Sequence, residues 1–265
     1  MSAPRSRRGL RPSSPARLAA AGLAAARMAR AALRAAFAAS PSSARARPWK
    51  IPDGSLEALK WVALVLMTGD HINKYLLHEA SGSLYALGRL VMPLFGFVLM
   101  AQLARPEAFR NGVHLRVMKR LAIFALLATP AFVRLVGWWP LNILATLLLT
   151  TLIVWLLDQG GRRMRCAAAI AFLIGGALVE FWWPALLYGL GARAFLHKPD
   201  APRLLGWILA TASLAVINGN FAALAALPLI WAAQRVDIRV PRHRWVFYIF
   251  YPAHLSLIAC VQSLL

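Results

Sequence analysis

The chain has 265 residues, is 60% hydrophobic and only 15% charged, and carries a formal net charge of +21. A soluble domain is about 25% charged, so the composition argues against an ordinary soluble globular protein and indicates a polytopic membrane protein. The basic excess does not indicate nucleic-acid binding. Most of its Lys and Arg residues either precede the first apolar segment or fall between apolar runs, which suits membrane topology and anionic lipid headgroups.

Residues 1–54 are rich in Arg, Ala, Ser and Pro and hold no acidic residue before Asp53. Arg27, Arg30 and Arg34 fall on one helical stripe, but Leu33 and Phe37 do not oppose it well. The apolar run at 18–26 and the SRRGL at 6–10 resemble export signals only faintly, and the Arg-rich, acid-poor composition also fits a transit peptide. The segment is expected to be a basic cytoplasmic arm, disordered or lying on a surface. The competing reading is a start codon chosen too far upstream, with Met28 or a later start the real one. Residues 55–265 form the expected transmembrane domain.

Helices are expected near 56–77, 83–103, 117–136, 141–157, 165–181, 183–196, 204–218, 220–233 and 245–264. A span needs about 20 residues, so the short sixth, seventh and eighth leave room for a re-entrant or tilted segment. Positive charge alternates along the loops. One set carries Arg105, Arg110, Arg116, Lys119 and Arg120, then Arg162, Arg163 and Arg165, then Arg193, Lys198 and Arg203, then Arg235, Arg239, Arg242 and Arg244. The intervening loops are poor in it, with Lys74 beside Glu79, Arg134 alone, and none at 181–184 or 218–220. The expected protein is therefore an all-α polytopic transmembrane helical bundle of about nine helices, with its N-terminus inside and its C-terminus outside. Trp138, Trp139, Trp182 and Trp183 fall at the expected outer interface as an aromatic belt. Cys166 and Cys260 fall at opposite faces, so neither a disulfide nor a Cys-based metal site is expected.

Chemistry is expected where charge interrupts apolar sequence. Asp70 and His71 lie well inside the first helix, about 14 residues or roughly 21 Å from its start. A charge at mid-membrane costs about 2.5–3.5 kcal/mol, so such groups face a bundle interior or a water-filled cavity. Neighbours on a helix point about 100° apart, so Asp70 and His71 form no local dyad and His71 needs a partner on another helix. A neutral His can take a proton from an amine or a hydroxyl. The plainer alternative is an Asp70–Lys74 pair at i,i+4, with His71 hydrogen-bonded in the core. Arg89, across a short loop, meets Asp70 at similar depth. It is read as a counter-ion, as a holder of an anionic group or developing oxyanion, or as half of a structural ion pair. Gly88 permits close helix approach, and Pro93 either kinks the helix or frees backbone groups to line a cavity.

In the last helix Tyr248, Tyr251 and His254 share one face, and Pro252 opens the helix around them. His254 sits roughly 14 Å deep. Glu180, Tyr188, Asn142 and Asn218 are weaker polar candidates near the outer face, of which Asn142 and Glu180 join Tyr248 and Tyr251 as candidate substrate-binding residues. No second intramembrane Asp is present to share a proton with Asp70, as an aspartyl protease requires. Ser81, Gly82 and Ser83 lack the serine arrangement of a rhomboid protease. No ligand spacing supports a metal, and none is expected.

Four runs together resemble the TraX family of conjugal-transfer proteins: KWVALVLMTGDH at 60–71, GRLVMPLFGF at 88–97, NILATL at 142–147 and FYIFYPAHL at 247–255. The resemblance covers about residues 55–265, with the runs in the family's order, and none of the first 50 residues. It extends to the wider set of membrane acyltransferases that use acyl-CoA. It implies a multi-pass protein of the bacterial inner membrane that transfers an acetyl group from acetyl-CoA, best known as acetylation of the pilin N-terminus. Under that chemistry His71 is expected to be the general base, with Asp70 and Arg89 shaping its charge environment. His254 is expected to line the acyl path or act as a second base. Coenzyme A is polyanionic, and Arg116, Lys119, Arg120, Arg242 and Arg244 lie at the expected inner rim, although each also serves the positive-inside signal. The acceptor is expected to be a pilin or another membrane or periplasmic molecule. The residues leave open O-acyl transfer to a glycan or lipid, a transporter using Asp70, Arg89 and His254 as an ion path, and a non-enzymatic assembly factor. No inverted repeat supports the transporter, and an assembly factor would not need intramembrane charges.

Overall fold

A computed structural model describes residues 49–243 and 245–264. The expected arm through residue 48, and Arg244, lie outside the described residues. The described chain is all-α: α1 (Asp53–Tyr75), α2 (Gly82–Gly88), α3 (Val91–Leu103), α4 (Val113–Leu135), α5 (Ile143–Gln159), α6 (Gly161–Gly176), α7 (Trp182–His197), α8 (Ala201–Ser213), α9 (Ala215–Asn218), α10 (Ala226–Arg235) and α11 (Val246–Gln262). A 3₁₀ turn, Ala222–Ala225, leads into α10. Among the described residues there is no strand, only an isolated bridge between Leu141 and Val179. Two stretches, Gly82–Leu103 and Ala201–Asn218, are both long and apolar enough to cross a membrane.

Two expected helices are broken, for reasons visible in their residues. The second breaks at Arg89 and Leu90, whose backbone N–H groups reach back only three residues, to Ala86 and Leu87. Pro93 explains it: proline has no N–H for the Arg89 carbonyl, and its ring crowds that carbonyl. The interruption sets Arg89 at a tightened turn, where 3₁₀ geometry often marks function or strain. The seventh breaks at Leu214, where Thr211 Oγ1 donates to the Trp207 carbonyl and Ser213 Oγ to that of Ala210. Such back-bonding bends helices. Elsewhere local signals set the ends. Asn142 caps α5 by accepting from the Leu144 N–H at 3.1 Å, and Asp200 caps α8 by accepting from that of Arg203 at 3.1 Å.

Buried residues of α1 (Leu56, Leu59, Ala63, Met67 and Asp70) recur at three- and four-residue spacing, so Asp70 is on the inward stripe. The same spacing in α4 places Val117, Leu121, Ala125 and Ala128 inward. α7 is buried from Ala185 through Phe195 and forms the spine, with α3, α5 and α8 against it. α1 packs on α2 and α3, and α11 lies along α4 and touches α1. The packed body begins before residue 55. Trp49 meets Phe97, Phe195 and Trp207 edge-on, with ring centroids 5.7, 5.4 and 6.5 Å away.

Candidate functional site

The α1–α2 hairpin is pinned by one side chain. Asn73 Nδ2 donates to the Ser81 carbonyl at 3.0 Å, and its Oδ1 accepts from the Ser81 N–H at 2.9 Å. Ser81 in turn caps α2 by accepting from the Leu84 N–H. This closure lays Gly88 on Asp70. A Cβ on Gly88 would come within 2.2 Å of Asp70 Cγ, so only glycine permits the approach. Asp70 is thereby paired not with Lys74 but with Arg89, whose Nη2 donates to both carboxylate oxygens at 2.8 Å. Arg89 also stacks on Tyr85, its Cζ 4.3 Å from the ring centre. Its Nε is buried without a hydrogen-bond partner.

His71 finds its partner on α11. Its Nδ1 lies 2.7 Å from His254 Nε2, and the two ring planes are 7° apart. His254 Nδ1 lies 2.9 Å from the Phe250 carbonyl, which can only accept. In a neutral pair the order of protons is therefore fixed: His254 Nδ1–H donates to Phe250, and His71 Nδ1–H donates to His254 Nε2. The lone pair of His71 Nε2 is left over. Among the described residues no hydrogen bond reaches that atom.

These groups line a cavity of about 750 Å³. It runs beside α1 from Lys60 to Lys74, about 21 Å at helical rise. Its middle is apolar, walled by Met67, Phe95, Val98, Leu121 and Leu144. One end is basic, with Lys60, Arg105, Arg116, Arg120 and Arg242 around Glu107. The other holds Asp70, His71, Arg89, Lys74 and Glu180.

The expected site residues divide accordingly. Asp70, His71, Arg89, Glu180, Tyr248 and Tyr251 line the cavity, as do Arg116 and Arg120. Tyr248 lies beside Arg120, and Tyr251 lies near Glu180. His254 is not on the wall; it stands behind His71. Lys119 is exposed and outside the cavity. Asn142 is buried away from it, capping α5 and donating to the Ala125 carbonyl at 3.0 Å. Tyr188, fully buried, donates to the Pro93 carbonyl at 2.7 Å. Asn218 accepts on its carbonyl from the Tyr85 hydroxyl.

Three groups were missed from sequence. Lys60 lies on the cavity wall, 2.6 Å from buried Glu57 and 4.4 Å from the Phe247 ring centre; an i,i+3 charge pair inside an apolar helix was the available signal. Arg105 at the basic mouth, paired with Asp53, reads from sequence as a loop charge only. Arg193, expected as a loop cation, is buried within α7 against Asp158, which also sits 3.2 Å from His114 Nε2. That cluster ties α4, α5 and α7 together away from the cavity. Among the described residues no three of His, Cys, Asp and Glu gather to hold a metal, and both cysteines are free and exposed.

The family model described as TraX protein matches residues 55–262. No curated relative and no solved structure matches the chain.

Proposed function

Because the chain belongs to the TraX family, we propose that it is a multi-pass membrane acetyltransferase that moves the acetyl group of acetyl-CoA to an amine. The family resemblance suggests the N-terminus of a pilin-class subunit as acceptor. The observation that carries the reading is His71 Nε2: a base nitrogen, tautomer set from behind by His254, on the wall of a cavity with a basic mouth at its far end.

Coenzyme A carries its phosphates to Arg116, Arg120, Arg242 and Lys60, with Arg105 at the rim. The apolar middle of the cavity receives the pantetheine arm and brings the thioester toward His71. The acceptor, after its ammonium form has released one proton to water, attacks the thioester carbonyl as a neutral amine while His71 Nε2 takes a second proton from the nitrogen. The C–N bond forms, the C–S bond breaks, and the proton passes from His71 to the departing sulfur, giving free coenzyme A and an amide. Arg89 lines the same wall, and its positive charge is suited to the developing oxyanion. Its pairing with Asp70 holds the guanidinium in place.

Membrane insertion is supported by apolar residues left uncovered on the outside of the bundle. Val65, Leu126, Leu127, Leu173, Ile174 and Leu257 are each 58–74% exposed. Soluble monomers rarely leave such surfaces open. In this reading the basic mouth faces the cytoplasm, where acyl-CoA is found.

The test is transfer of labelled acetyl from acetyl-CoA to a peptide amine by the purified full-length protein in nanodiscs. Transfer by the wild type, lost in His71→Ala at matched protein level, is the expected result. No transfer to any amine or hydroxyl acceptor, with no coenzyme A binding, would end the acyltransferase reading.

A further inference from the structure

At the end away from the basic mouth the cavity adjoins a smaller chamber of about 240 Å³. Asp70, Lys74, Arg89, Glu180 and Phe181 belong to the walls of both, and Glu79, Tyr85 and Ile217 complete the smaller one. Lys74 and Glu79 are exposed, so the chamber reaches the surface. The site thus has a second entrance, opposite the one suited to coenzyme A.

The chamber's charged groups are the carboxylates Asp70, Glu79 and Glu180 and the cations Lys74 and Arg89. Arg89 is committed to both oxygens of Asp70. Glu180 faces both Lys74 and Arg89, so the chamber holds three carboxyl groups against two cations. The Glu180 carboxyl lies by the backbone N–H of Ile143 and has no side-chain hydrogen bond among the described residues. Glu79 sits on strained backbone, and Glu180 directly precedes a strained pair. Among the described residues the non-glycine positions with positive φ are His78 (50°), Glu79 (60°), Phe181 (61°) and Trp182 (46°). Such backbone persists only where the fold enforces it. All four flank or include these two carboxylates.

The geometry points to this chamber as the binding site for the acceptor's ammonium group, with Glu180 as the inner carboxylate, Glu79 as the rim carboxylate, and His71 on the adjoining wall. An α-amine has an ordinary pKa of about 7.7–8.0, so it arrives largely as a cation near neutral pH. Burial pushes the Glu180 carboxyl up to about 7, and a bound ammonium draws it into its charged form, an advantage that a sugar or lipid hydroxyl lacks. The inference rests on the acyl-transfer reading and deepens it: it selects an amine over a hydroxyl acceptor and gives it its own door.

The experiment uses the full-length protein in nanodiscs and two versions of one short apolar peptide amide, with a free and with an acetylated α-amine. The free amine is expected to bind about tenfold tighter or more, the scale of one charge-assisted contact. Glu180→Gln is expected to remove most of that preference and to raise KM for the amine more than it lowers kcat. Glu79→Gln, at the exposed rim, is expected to remove part of it while coenzyme A still binds. Equal binding of the two peptides by the wild type, or a preference that survives both substitutions, overturns the assignment. If labelled acetyl transfer persists in those preparations, acyl transfer stands without this acceptor site. If the preference is found but neither coenzyme A binding nor transfer is, the chamber stands as an amine site and the acyltransferase reading falls.

Discussion

His71 on α1 and His254 on α11 are 183 residues apart in sequence and joined by a 2.7 Å contact between Nδ1 and Nε2. Because His254 spends its own Nδ1–H on the Phe250 carbonyl, the contact gives the two histidines unequal roles. His71 presents a lone pair to the cavity, and His254 holds it in that tautomer. Removing the base is expected to cost about 10²–10⁴-fold in acetyl transfer, so His71→Ala takes the larger loss. His254→Ala is expected to lose less, and His254→Gln to recover part of that loss, because an amide oxygen can still accept from His71 Nδ1–H. Transfer rates at matched protein level decide. Near-normal transfer in His71→Ala with loss in His254→Ala reverses the assignment.

The Asp70–Arg89 pair depends on a residue with no side chain. Gly88→Ala drives a methyl group into Asp70, since the added Cβ falls 2.3 Å from Oδ1. The variant is expected to lose transfer nearly as far as Asp70→Asn and to melt lower than the wild type. Breaking one side of a buried ion pair costs about 3–5 kcal/mol. Arg89→Lys is also expected to be damaging, because an ammonium has no planar face to stack on Tyr85. Thermal melting with matched activity measurements checks all three. A Gly88→Ala protein with unchanged melting and activity would show that the close approach is unimportant.

The sequence made part of this arrangement legible. A short loop between two charge-bearing apolar runs is enough to bring Asp70 to Arg89, and the spacing of Pro93 from Arg89 explains where the helix breaks. The partner of His71 was not legible. Counting residues put His71 roughly 21 Å and His254 roughly 14 Å along their helices, and such a count contains no offset between one helix and another. Lys119 lies off the cavity for a reason a helical wheel contains. Val113, Arg116, Val117, Arg120 and Leu121 share one arc of α4 and line the cavity, and Lys119 lies outside that arc. Glu79 escaped notice as a site residue because it sits in a polar loop, where an acid needs no explanation.

That arc supplies a contrast between neighbours. Arg116→Ala, Arg120→Ala and Arg242→Ala are each expected to raise KM for acetyl-CoA several-fold, more steeply at low salt, since exposed charges are screened by salt. Lys119→Ala is expected to leave it unchanged. Titration of acetyl-CoA at two salt concentrations makes the measurement. Equal effects for Lys119 and Arg116 would reduce the basic mouth to a general surface potential.

Sidedness is the remaining expectation that the proposed reaction requires. The basic mouth is built from the α3–α4 connection and the start of α4, together with Arg242 just before α11. Acyl-CoA reaches it only if those segments face the cytoplasm. The chamber at Glu79 and Glu180 then opens on the opposite side, where a translocated acceptor would be found. The positive-loop alternation predicts the same orientation from charge alone. A reporter inserted within 105–115 is therefore expected to read as cytoplasmic, and one at position 79 or at the C-terminus as external. If the insertions at 105–115 and at 79 report the same side, the cavity does not connect two compartments. Donor and acceptor would then have to enter from one face, and the two-door arrangement fails whatever the chemistry at His71.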